Sequence, residues 1–148
     1  MIAELITNNY LSSNEWWHRV KLSPEDAQEY HEKLLDQGNI IAFVENGILV
    51  SYIEVWCINF EQLGRLVCEL PFYVYDEDIE NGNIAYVANL WVFDNEARVE
   101  LLEDFVDNFG ECEFLAGMRT NRNNAFKVYP MNKIKGVIDG RRQNHDSK

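Results

Sequence analysis

Apolar positions along this chain change their period several times, and each change marks an element. From 84 to 93 the run IAYVANLWVF is apolar at nearly every position. Apolar residues on both faces of a strand predict a central place in a sheet, covered on both sides. Next, Leu101, Leu102, Phe105, Val106 and Phe109 recur at helical spacing, with Glu96, Glu100, Glu103, Asp104 and Asp107 between them. That predicts a helix over 95–109, capped by Asp94 or Asn95 and ended by Gly110. Residues 112–118 are apolar again and predict a strand. Strand, helix and strand in this order predict one parallel crossover.

The earlier half reads in the same way. Residues 2–6 predict a short strand. Ser23 and Pro24 open a helix, Glu25 and Asp26 favour its positive end, and Gly38 closes it. Ala27, Tyr30, His31, Leu34 and Leu35 share one face of that helix. Strands over 40–44 and 48–60 flank Glu45-Asn46-Gly47, a tight hairpin turn. Residues 61–70 predict a short helix or an irregular crossing, and 72–75 a strand. Beyond the crossover, 121–129 predicts a short helix, 131–138 a last strand, and 140 onward a frayed end.

The expected fold class is therefore α+β: a mixed, mostly antiparallel central sheet flanked by helices, with one parallel β-α-β crossover. One domain is expected over 1–138, followed by a flexible basic tail over 139–148. The length of 148 residues suits one core.

Charge changes the picture more than composition does. The chain carries −12 overall, but 133–148 holds five Lys/Arg against two Asp, leaving −15 on the first 132 residues. A body of that sign repels phosphate, so direct nucleic-acid binding is not expected. It suits a basic protein or a cationic amine, or it serves only to keep the domain soluble. No apolar run approaches the ~20 residues of a membrane helix. The N-terminus lacks a basic n-region and carries Glu4, unlike a secretory signal. Three cysteines, Cys57, Cys68 and Cys112, form no C-x-x-C pair, so neither a disulfide framework nor a zinc site is expected. The cytoplasm is the expected compartment, and a homodimer is left open.

The order of elements, with certain residues, resembles the GCN5-related N-acetyltransferase superfamily. The stretch 42–52, AFVENGILVSY, is similar to its second and third strands. Residues 86–92, YVANLWV, are similar to its fourth strand, and 125–129, AFKVY, to the A-x-x-h-Y of its last helix. In that superfamily the fourth and fifth strands splay apart, and coenzyme A lies in the gap. The resemblance implies acyl transfer from acetyl-CoA or another acyl-CoA to an amine. It places Val92, Asn95, Ala97, Arg98 and Asn123 at the cofactor. The family's phosphate loop reads R/Q-x-x-G-x-G/A, whereas 93–100 here reads FDNEARVE. No glycine is present, and Asp94, Glu96 and Glu100 stand where a diphosphate would arrive.

Amine acylation needs a base for the amine proton and an acid for the thiolate. The resemblance makes Tyr129 the acid; alternatively it is a helix residue packed on the sheet. Glu54 is the base candidate, because it interrupts an apolar strand and burial would raise its pKa; alternatively it faces solvent. Asn89 orders water or a substrate carbonyl, or satisfies a strand splay. Asp76, Asp78 and Glu80 alternate as in a calcium loop, but Asn81 and Val87 replace the required Gly and Glu, leaving a solvated loop as the plainer reading. No metal ligand set is assigned. Trp16 and Trp17 serve as interface anchors or as a local aromatic cluster.

Two functions follow. One is an N-acyltransferase acting on a cationic amine, or a remnant of one. The other is a non-catalytic acidic protein of the same fold that binds a basic protein. Viral accessory proteins, including DNA mimics and structural components, share this size and charge.

Overall fold

A computed structural model describes residues 2–12, 22–68, 82–119 and 125–146. The first helix, α1, runs Ile2–Ser12, where a strand was expected over 2–6. Its buried residues are Ala3, Ile6, Thr7 and Tyr10. Their three- and four-residue steps form a helical stripe, which the short apolar run at its start disguises.

Helix α2, Pro24–Asp36, begins as expected: Ser23 Oγ accepts from the Asp26 N–H at 3.2 Å. Gly38, at φ 77°, closes it in the left-handed region. Strands β1 (Ile40–Glu45) and β2 (Ile48–Ile58) form the hairpin. Asn46 and Gly47 sit at φ 54° and 77°, the two positive values that such a turn requires. Helix α3 (Phe60–Cys68) follows. The strand expected over 72–75 and most of the acidic loop lie outside the described residues.

Strand β3 (Ile84–Val92), helix α4 (Asn95–Phe109) and strand β4 (Phe114–Arg119) form the crossover, and β3 pairs parallel to β4. The last two expectations are reversed. Strand β5 (Ala125–Pro130) stands where 125–129 was expected to be helical, and helix α5 (Met131–Asp146) replaces the strand over 131–138. Helix α5 also extends through most of the expected tail. Met131 and Ile138 are buried among its described side chains, seven apart and thus on one helical face. Pro130, which can give no ladder hydrogen bond, ends the strand at an edge where none is needed.

The sheet order is β1-β2-β3-β4-β5, antiparallel except for β3 and β4. Its two faces carry separate cores. On one, Tyr52, Trp56, Tyr86 and Ala88 pack against Ile6, Leu34, Leu63 and Leu66 of α1, α2 and α3. On the other, Ile53, Val55 and Ala85 pack against Leu101, Phe105 and Phe109 of α4 and Met131 of α5. Each fully buried large side chain contributes about 1.5–3 kcal/mol, so β2 and the start of β3 are clamped from both sides. Strand β3 is buried only to Ala88; Leu90 is 39% exposed. Among the described residues no helix is long and apolar enough to cross a membrane.

Candidate functional site

Glu54 lies in the middle of β2 and is wholly buried. Strand alternation points it to the α1/α2 face, between Tyr52 and Trp56. Tyr30, on the apolar stripe of α2, donates its hydroxyl to Glu54 Oε2 at 2.8 Å. Trp56 Nε1 donates to the same oxygen at 2.8 Å and also lies 3.2 Å from the Tyr30 hydroxyl. Asn89 Nδ2 donates to Oε1 at 3.3 Å.

Asn89 reaches that carboxylate because β3 slips by one residue. Glu54 pairs with Asn89 but Val55 pairs with Val87, so Ala88 is the extra residue of a bulge. Simple alternation from Tyr86 would have turned Asn89 to the opposite face. The bulge instead sets Ala88 and Asn89 on one side.

Burial disfavours a charged carboxylate, while three donors favour it. The side chain reads as a pin that ties α2, β2 and β3 together. Its field is felt nearby: burial, and then the Glu54 charge, pushes the phenol of fully buried Tyr86 well above its usual range. A second buried polar contact lies over the same face. The Thr7 hydroxyl gives its proton to Ala3 O at 2.7 Å, so His31 Nδ1–H donates to Thr7 Oγ1 at 2.8 Å.

The start of α4 is the second part of the site. Asp94 is its N-cap, and Asp94 Oδ1 accepts the Ala97 N–H at 2.8 Å. The Arg98 N–H is taken by Asp94 O at 3.1 Å. Asp94, Asn95, Glu96, Arg98 and Glu100 are exposed, Ala97 is buried and Val92 is half-buried. A helix N-terminus attracts phosphate through free amides and a positive end. Here the chain's own carboxylate takes up one of the orphan amides, that of Ala97, and Glu96 lies in the same first turn. With no glycine and two acids at its start, this terminus is a poor cradle for a diphosphate.

Between these parts the strands diverge. Strand β3 pairs with β4 only from Ile84 to Val87, and β4 then continues along β5. Residues 89–92 keep β2 as a neighbour but have no β4 partner among the described residues.

The remaining candidates separate. Tyr129 is on β5 instead of a helix and pairs with Leu115, whose side chain packs on the α4 face of the sheet. Tyr129 therefore lies on the face opposite to Glu54, and Lys133 Nζ stands 5.2 Å from its ring centroid. Glu54 and Asn89 are brought together; Tyr129 does not join them. Asn123 lies outside the described residues, as do Trp16, Trp17, Asp76, Asp78 and Glu80. Among the described residues no three His, Cys, Asp or Glu side chains are grouped to hold a metal. Sequence reasoning missed Tyr30 and Trp56 as partners of Glu54. The two-residue step from Glu54 to Trp56 was the readable signal, since it places both on one face.

No protein-family model matches this chain, and no curated protein matches it in sequence.

Proposed function

We propose that this chain is a non-catalytic, acidic protein of N-acetyltransferase-like fold that binds a basic protein partner. The observation that carries this reading is the bond from the Ala97 N–H to Asp94. It takes up one amide of the helix end on which an acyl-CoA would depend, and Glu96 and Glu100 are exposed on the same helix. The outer side of α2 adds exposed Glu25, Asp26, Glu29, Glu32 and Asp36. Such a field attracts cationic surfaces and speeds their encounter, in a manner that salt weakens.

The test is calorimetric titration with a lysine-rich peptide at low and physiological salt, repeated on Glu96→Gln/Glu100→Gln. Saturable binding that falls with salt, and falls further in the double variant, supports the reading. Absence of binding at low salt removes it.

Acyl transfer from acetyl-CoA to a cationic amine is the second reading. It is favoured by the divergence of β3 from β4 beside the start of α4, and by the adjacency of Glu54 and Asn89. The poor fit of a diphosphate at Asp94 stands against it.

A further inference from the structure

We infer that an extended, basic segment of the partner adds as a strand to the outer edge of β3, at Leu90 and Val92. This rests on the partner reading above and gives that partner a place and a binding mode.

The backbone directions carry the argument. The Phe93 N–H bonds to Val50 O at 3.0 Å. In an antiparallel pair, alternate residues point their N–H and C=O groups at the neighbour. Phe93, Trp91 and Asn89 therefore turn theirs to β2, and Leu90 and Val92 turn theirs to the opposite side. Before the bulge the outward residues are odd-numbered and β4 receives them: Glu113 and Phe114 both donate to Asn83 O. After the bulge the outward groups fall on even positions, and among the described residues β4 pairs with none of them. Two N–H and two C=O groups thus line an edge that nothing among the described residues pairs.

Natural edges are protected by Lys, Pro, inward charge or a bulge. The stretch 88–92 opens with the bulge at Ala88 but carries no Lys, Pro or charge beyond it. Leu90 is 39% exposed and Phe93 76% exposed, so apolar contact adds to backbone pairing. At the Val92 end the edge runs into exposed Asp94, Glu96 and Glu100. An incoming strand that alternates apolar residues with Lys or Arg meets complementary charge there. Five residues give about 17 Å of pairing length, a span that peptide recognition by strand addition commonly uses.

The experiment uses the full chain and two synthetic peptides that alternate Lys with Val, identical except that one is N-methylated at alternate backbone amides. Amide hydrogen exchange and calorimetry are read together. The unmethylated peptide is expected to slow exchange at Leu90 and Val92, and to bind about tenfold or more tightly than its methylated twin. Leu90→Lys, placed on an exposed position, is expected to weaken the unmethylated peptide by about tenfold while leaving the circular dichroism spectrum unchanged. Equal binding of the two peptides, with no protection at Leu90 or Val92, overturns strand addition and leaves the partner on the acidic helices. Failure of both peptides at low salt overturns the partner reading itself.

Discussion

The Tyr30 hydroxyl donates to Glu54 Oε2 at 2.8 Å across 24 positions of sequence. This bond fastens α2 to the centre of the sheet, and Trp56 and Asn89 also donate to the carboxylate. Hydrogen bonds to a charged group contribute about 1.5–3 kcal/mol each. Tyr30→Phe is expected to lower stability by that amount in urea unfolding. Glu54→Ala is expected to cost more, because it strands several buried donors at once.

Alkaline pH tests the half-buried Cys57 thiol and the buried Tyr86 phenol. Burial first, then the neighbouring Cys112, pushes Cys57 from its ordinary 9.0 up to about 12. Between those values the unfolded chain loses the proton and the folded chain keeps it, so the unfolded state binds fewer protons. Stability is expected to be full below pH 9 and to fall as pH rises from 9 toward 12. Tyr86, raised from 10.0, adds to the fall above pH 10. Urea unfolding at stepped pH values checks this. Cys57→Ala flattens the slope from pH 9, and Tyr86→Phe flattens it only from pH 10.

Gly82 allows the chain to enter β3. A Cβ built there would overlap the backbone carbonyl of Ile58, while the Gly82 N–H bonds to Cys57 O at 2.9 Å. The obstacle is backbone and cannot swing aside. Gly82→Ala is expected to cost about 2 kcal/mol or more, read as a lower urea midpoint with an unchanged slope.

Ser51 Oγ is buried with no hydrogen-bond partner among the described residues. Such a hydroxyl costs about 1–3 kcal/mol to bury. Ser51→Ala is expected to raise stability by about 1 kcal/mol after the weaker strand preference of Ala is counted. A loss of stability would show that the hydroxyl has a partner.

Much of the fold was legible because periodic patterns and punctuation agreed. Ser23-Pro24, Asn46-Gly47 and Asp94 marked three boundaries, and the stripe from Leu101 to Phe109 marked α4. The misreadings differ in cause. Residues 2–6 form an apolar run too short to show a period, whereas 131–138 carries Met131, Ile134, Val137 and Ile138 at a helical spacing that was missed. Residues 121–129 read locally as a short helix, yet Ala125–Pro130 lies as a strand along β4, a non-local pairing that local sequence does not encode. In the site, Glu54 was legible as an acid inside an apolar strand. The approach of Asn89 was not, because a bulge reverses side-chain parity without leaving a compositional mark.

Asp94 caps the start of α4, and on the proposed reading that cap keeps phosphate away. Thermal unfolding with coenzyme A up to millimolar concentration tests it most directly. A ligand at 100 times its dissociation constant adds about 2.7 kcal/mol, which is several degrees of Tm for a domain of this size. We expect no shift in Tm and no movement of the Ala97 amide resonance. A saturable rise in Tm, accompanied by displacement of that resonance, would contradict the account.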